Sequence, residues 1–432
     1  MATKLVDRLG PIGPMSRVGS SATLGLGCQT CGFFTDCGGI YNGFDCMSCC
    51  CSSPDTCTLA CPRSSNFIAI LRDSGGLDSR RQWDIRQNPH SPLPVYVPMI
   101  QHGFQRVRDL DLPLVALPTF EVTRRRVGDV TFFETAQALR SFFRIGATTR
   151  LILISVGEDA ELERYWEHAH LDGLPAHLAA IRADLVTAPN FSFPLNVPRT
   201  EHLSNRRRSL ICAEELSRAG INVAPHLSAV TQGDWDFWRD FLRDHAHISI
   251  VAKEFQTGGA TRAVAQWHID QLRRLEDALG RGLHLIAVAG RRHLPLLSGL
   301  TGFTVVDSHP FMKTIYRRRL SREDGRWKIS LTTPGEPLDE LLASNIDEYA
   351  KALSQNAARL KQYPLDFGDQ PSSAKQATAV DDYGIAAHWC PPSEQMSIEY
   401  SRVAQTSHSD VREGAGCNTR DPATARISNA RS

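Results

Sequence analysis

Nine of the chain's twelve cysteines fall between Cys28 and Cys61, at positions 28, 31, 37, 46, 49, 50, 51, 57 and 61. In a reducing compartment, where disulfides do not persist, such crowding argues for a bound metal. The CxxC pairs Cys28/Cys31 and Cys46/Cys49 have the short bite that lets two thiolates reach one tetrahedral ion. Cys28, Cys31, Cys37, Cys46, Cys49, Cys57 and Cys61 are the expected ligands, with zinc as the expected metal. The ending Cys57-x₃-Cys61-Pro62 has a faint likeness to an iron–sulfur run, so a cluster is the alternative, although the full ferredoxin spacing is missing. No Cx₃Cx₂C triad occurs, which weakens radical chemistry. A structural metal knot is the plainer reading and is preferred to a catalytic metal.

A second set of reactive side chains follows short apolar runs. Gln101-His102-Gly103 comes after the first run and Thr119-Phe120-Glu121 after the second. The third leads into Ser155, Glu158 and Asp159, the fourth into Asn190-Phe191-Ser192, and the fifth carries His226. The sixth leads into Lys253-Glu254-Phe255-Gln256-Thr257-Gly258-Gly259, the seventh into Gly290-Arg291, and the eighth into Asp307-Ser308-His309-Pro310. Any one of these alone reads as a solvated loop. Together they form a polar ring wherever the runs end.

The elements that must position this ring are eight runs: Val95–Ile100, Leu114–Phe120, Leu151–Val156, Asp184–Pro189, Ile221–Val230, Ile248–Phe255, His284–Ala289 and Phe303–Asp307. Near-continuous apolar runs are expected of parallel strands buried on both faces. Between them, Ala160–His168, Arg206–Ala219, Asp234–Arg243 and Arg262–Leu279 read as helices. The alternation predicts an α/β fold, and eight units suit a (β/α)₈ TIM barrel with its active site at the C-terminal strand ends. Trp327–Thr332 is expected as a small strand and Glu336–Leu360 as a closing amphipathic helix. The expected organisation is a flexible leader at 1–27, a Cys-rich metal-binding module at 28–91, the barrel at 92–362 and a disordered tail at 363–432.

The 432 residues carry 48 basic and 47 acidic side chains, so the chain as a whole does not announce a nucleic-acid partner. Three Arg triplets do stand out: Arg124 to Arg126, Arg206 to Arg208 and Arg317 to Arg319. A single triplet is usually a solvated face; three near strand ends suggest phosphate contact. The start MATKLVDRLG lacks the apolar stretch of a signal peptide, and nothing later is long enough to cross a bilayer. A cytoplasmic protein with no membrane contact is expected.

The order and texture of the strand ends resemble the queuine/archaeosine tRNA-guanine transglycosylase superfamily, especially its DpdA-like DNA-acting members. Pro94-Val95-Tyr96-Val97-Pro98-Met99 is similar to the family's first strand, TPxFMPV. His284-Leu285-Ile286-Ala287-Val288-Ala289-Gly290, thirteen residues before Phe303-Thr304-Val305-Val306-Asp307, is similar to its YLMGVG followed by MFDCVLPTR. The resemblance covers residues 94–320. It implies that Asp307 is the covalent nucleophile and that Lys253–Gly259 lies where the family binds the base. The chain departs from the family at three places. Its Asp73-Ser74-Gly75-Gly76 precedes the first strand, whereas the family's DSGG ends the third. Asn190 replaces a guanine-reading Asp, and the C-terminal zinc motif is absent.

Breaking an N-glycosidic bond builds positive charge on the sugar C1′, which a carboxylate can stabilise or capture while a second acid or base assists. Asp307 is expected in the first role, and Glu254, Glu158 or His309 in the second. Asn190, Gln256, Gly258, Gly259 and His309 are the candidates for binding a flipped base, with Phe191 or Phe255 to stack on it. Arg206, Arg207, Arg208, Arg291 and Lys313 are the candidates for DNA contact. The expected function is a DNA glycosylase that excises a modified base and leaves an abasic site, as in antiviral defence. The alternatives are base exchange inserting a 7-deazaguanine derivative, and a non-catalytic nucleic-acid-binding protein. A metal-dependent barrel hydrolase would need a His/Asp cluster, and only scattered His102, His226 and His309 are available. Oligomeric state is not encoded in any of these motifs.

Overall fold

A computed structural model describes residue 55 and residues 57–362, except 89–90, 124–132, 134, 172, 195–196, 257–260 and 324–325. Eight short strands run in two parallel sheets. They are β1 (Tyr96–Pro98), β2 (Leu114–Pro118), β3 (Arg150–Ile154), β4 (Leu185–Thr187), β5 (Val223–Ala224), β6 (Ile250–Glu254), β7 (His284–Val288) and β8 (Gly302–Asp307). One sheet has the order β1-β8-β7-β6 and the other β2-β3-β4-β5. Parallel bridges at Met99–Ala116 and His226–Ala252 join the sheets at both edges. All eight expected runs are strands, most trimmed by a residue or more at an end. The fifth shrinks furthest, to two residues, because Pro225 has no N–H to extend the ladder.

The strands alternate between two apolar layers, as a side-chain period of two requires. Val97, Ala116, Ile152, Ala252, Ile286 and Val306 pack together on one face. Val115, Leu153, Val186, Val251, Leu285 and Val305 face the other way and join the helices in a larger core.

The helices in chain order are α1 (Phe67–Ser74), α2 (Thr119–Val122), α3 (Ala136–Phe143), α4 (Asp159–Leu171), α5 (Leu174–Ile181), α6 (Arg199–Arg218), α7 (Gln232–Asp244), α8 (Arg262–Leu279), α9 (Leu294–Leu297), α10 (His309–Ile315) and α11 (Leu338–Gln362). Local chemistry explains their limits. Thr231 and Asp234 form a reciprocal capping box on α7. Thr261 caps α8, whose chain leaves through Gly280 in the left-handed conformation. Helix α11 buries Leu342, Ile346, Tyr349, Leu353 and Ala357, a spacing of three to four that keeps one stripe on the core.

Between α10 and α11 lies an antiparallel ribbon, β9 (Arg318–Glu323) with β10 (Arg326–Leu331). Only its second strand was expected, since Arg318–Glu323 is mostly charged and only Leu320 in it is buried.

Residues 77–88, assigned by the sequence to the Cys-rich module, pack into the α/β core. Trp83 and Ile85 join the larger core. The Gln87 side chain accepts from the amides of Ser249 and Ile250 and donates to the carbonyls of Val223 and Ile250, tying β5 to β6 at their starts. All described residues belong to one unit, Met1–Gln376. The expected leader and tail, residues 1–27 and 363–432, lie outside the described residues, as do Cys28, Cys31, Cys37, Cys46, Cys49, Gly258, Gly259 and Arg124 to Arg126.

Candidate active site

Asp307 closes β8 and is only 7% exposed. Its Oδ1 accepts from the amide of His309 at 2.6 Å, the geometry that starts α10. Its Oδ2 accepts from the Tyr349 hydroxyl of α11 at 2.8 Å and lies 3.7 Å from Arg291 Nε. Arg291 also reaches the same hydroxyl, at 3.4 Å. Tyr96 of β1 packs edge-on against Tyr349, with ring centroids 4.9 Å apart. Burial and the negative charge of Asp307 push both tyrosine hydroxyls well above their usual range, so they remain donors. Hydrogen bonds to a charged group are among the stronger ones in a protein. The carboxylate is therefore held in one orientation by partners from β7's exit, α10 and α11.

The turn that delivers Arg291 is strained. Ala289 has φ 56°, a left-handed conformation that a Cβ disfavours by about 1 kcal/mol or more. Gly290 follows, where a Cβ would lie 2.8 Å from that of Ala287.

His309 does not supply an acid near neutral pH. Burial, then Arg291 and Lys313, lower its imidazole to about 3, and the neutral ring sits 5.6 Å from that of Tyr349.

Glu254 ends β6, buried, with Oε1 accepting from the amide of Gln256. The register pairs Glu254 with Val288 and Val288 with Val306, so Glu254 stands level with the residue before Asp307. Two strand spacings put their backbones about 10 Å apart. Side chains alternate along a strand, so the two carboxylates leave opposite faces of the sheet. Glu158 is exposed at the start of α4, where its amide bonds Glu161. Neither Glu254 nor Glu158 has a contact with Asp307. At the third strand end, Ser155 is buried and bonded to the hydroxyls of Thr119 and Thr187.

Asn190 lies three residues past β4, and its side-chain carbonyl accepts from Ser228 Oγ at 2.9 Å. Its N–H groups and the second lone pair of its carbonyl remain for a ligand. Gln256, just past β6, is exposed. Phe191 is 2% exposed, with the Arg208 guanidinium 4.1 Å over its ring and Trp166 against its edge. Phe255 is equally buried, against His293. Both rings are core, which corrects the expectation that they stack on a base.

The expected DNA contacts divide. Arg206 pairs with Asp234 and lies over Phe237, Arg207 donates to the carbonyls of Ser74 and Asp78, and Arg208 pairs with Glu163. These three guanidinium groups hold the fold together, so they leave the set of phosphate contacts. The same contact explains Asp73-Ser74-Gly75-Gly76: Gly75 and Gly76 end α1 at positive φ, and Asp73 accepts from Trp166. Arg291 remains beside Asp307, and Lys313 lies on α10 within electrostatic reach of Arg291 and His309.

Cys57 and Cys61 are buried with free thiols. Between them, Ala60 donates to Glu201 and accepts from Thr200, which docks this turn on the start of α6. Among the described residues no three His, Cys, Asp or Glu side chains cluster as metal ligands, and no helix is long and apolar enough to cross a membrane.

Tyr349, Tyr96 and Ser228 were not anticipated. A tyrosine on the buried stripe of α11 was the available signal, since a buried hydroxyl needs a partner. Compared with family models and with curated proteins, the sequence matches none of them.

Proposed function

We propose that this chain is a cytoplasmic nucleobase glycosylase that breaks an N-glycosidic bond in DNA, excises a modified base and leaves an abasic site, in the manner of a DpdA-like relative of the tRNA-guanine transglycosylases. The observation that carries the reading is the fixed, buried carboxylate of Asp307 at the end of β8. The parallel order of both sheets and the bridges between them support closure into an eight-stranded barrel, whose C-terminal rim is where such a site belongs.

In this reading Asp307 sits beneath C1′ and stabilises or captures the cation as the base departs. Tyr349 and Arg291 position it. Asn190 donates to the edge of the flipped base from the β4 end, and water is the nucleophile that completes excision. Zinc on the thiolates of residues 28–61, or an iron–sulfur cluster in its place, would brace the turn docked on α6.

The test incubates the full chain with DNA carrying modified bases and identifies released bases by mass spectrometry. Mild alkali then cleaves any strand at abasic sites. Asp307→Asn should lower base release by about a thousandfold or more, the scale of a lost charge-stabilising group. Tyr349→Phe should lower kcat and leave KM nearly unchanged, because it releases the carboxylate's orientation. Full activity in Asp307→Asn would refute the mechanism. Intact strands that incorporate a labelled 7-deazaguanine precursor would replace excision with exchange.

A further inference from the structure

Between Lys313 and Lys328 the sequence carries seven basic residues against two acidic ones, Glu323 and Asp324, an excess of five in a chain whose net charge is +1. The excess lies on the β9–β10 ribbon and its root. On the ribbon's inner face Leu320 is buried and Ile329 and Trp327 pack against the core, with Arg318 and Arg322 flanking Leu320. Its outer face presents Arg319, Glu323, Arg326 and Lys328. Glu323 engages Lys328 at 2.7 Å and Glu336 engages Arg319. These carboxylates do not balance the cations. At the root, burial and then the nearby Arg318 and Arg291 pull the Lys313 ammonium below its usual range.

The ribbon is also joined to the candidate site. The Trp327 ring lies 5.5 Å from that of Tyr349, whose hydroxyl holds Asp307. At the other end, Trp327 lines an open depression of about 470 Å³ with Glu323, Arg326 and Lys328. Six paired residues per strand give a ribbon about 20 Å long. A two-stranded ribbon of that size fits along a DNA groove, with cations on flanking phosphates.

We propose that the β9–β10 ribbon, with Arg318 and Lys313 at its root, is the DNA-docking arm that grips the sugar–phosphate backbone leading away from the Asp307 rim. It rests on the reading of Asp307 as a DNA-acting site, and it names the surface that holds the polymer. Arg318 at the root and Arg326 near the tip make the phosphate contacts, and Glu323 restrains Lys328 from making a third.

The experiment measures binding of the full chain to a labelled DNA duplex of about two helical turns by fluorescence anisotropy across a salt series. Arg318→Glu/Arg326→Glu should weaken binding about tenfold or more at low salt and flatten the log–log salt slope by about one to two. Glu323→Gln should tighten binding a few-fold by releasing Lys328. Thermal melts near wild type would show that both variants fold. Unchanged affinity and slope in the double variant, or no DNA binding by the wild type, would overturn the proposal. So would a loss of binding to phosphatidylserine vesicles with DNA affinity retained, which would make the partner a lipid surface. The two readings separate cleanly: ribbon-dependent DNA binding without base release keeps the arm and removes the glycosidic chemistry. Base release with ribbon-independent binding does the reverse.

Discussion

Helix α6 and the β9–β10 ribbon each carry an arginine triplet, and their surroundings are opposite. On α6, Arg206 is 1% exposed and shares the Asp234 carboxylate with Arg199, which is fully buried. Arg207 ties α6 to residues 74–78, and Arg208 bridges Glu163 while lying over Phe191. At the ribbon, Arg317 and Arg318 are exposed and Arg319 is half-exposed. The cost of desolvating a guanidinium explains the contrast. A buried cation must have partners that replace water, and α6 finds them on α7, α4 and α1. The ribbon has the core on one side only, so Arg318 stays exposed at its root, while Glu336 engages Arg319 and Glu323 engages Lys328. Each arginine of a run therefore has to be read by what lies against it.

That contrast makes Asp234 the residue whose loss should hurt most. Asp234→Ala leaves Arg199 and Arg206 buried together without their shared anion, and should cost about 3–5 kcal/mol in a denaturant melt. A variant as stable as wild type would end the claim that α6's arginines are structural.

Acid should reveal the same cluster. Burial raises the Asp234 carboxyl, but Arg199 and Arg206 outweigh it and bring the group from 3.8 to about 2. A depressed folded value means stability fully present above about pH 4 and lost as pH falls toward 2, amounting to about 2 kcal/mol. Melts over that window should show a drop that Asp234→Ala lacks; parallel curves would assign it to other groups.

Arg208→Ala should cost about 1–3 kcal/mol through the lost Glu163 pair and the uncovered Phe191 ring. Measured base release should change little if Phe191 is core, whereas a selective loss of DNA affinity would return Arg208 to the binding surface. The smallest effect belongs to the ribbon: Arg318→Ala should shift stability by less than about 0.5 kcal/mol. A larger shift would show that the root of the ribbon is structural after all.

Much of the frame was legible because its signals are local. Helix α8 spans Arg262–Leu279 as its apolar period predicts, and β7 and β8 fall within one residue of expectation. The ribbon's first strand was hidden because Arg318 and Arg322 share the inward face with Leu320, which breaks the apolar alternation expected of a strand with one wet face. Phe191 was misplaced for a related reason. Its position after a strand end suggested a rim, while α4 and α6 close over it.

The sequence by itself determined the alternation of strands and helices and set Asp307 at the end of the eighth strand. Periodicity, caps and Pro225 act over a few residues, so they can be read in one dimension. The tertiary structure alone decided which polar groups meet. Tyr349 reaches Asp307 across 42 positions, and Gln87 reaches Ile250 across 163. Buried donors and acceptors must find a partner somewhere, but nothing in the local pattern says where, because the partner is set by which helices pack beside which strands. The same packing turned one arginine triplet inward and left the other facing water.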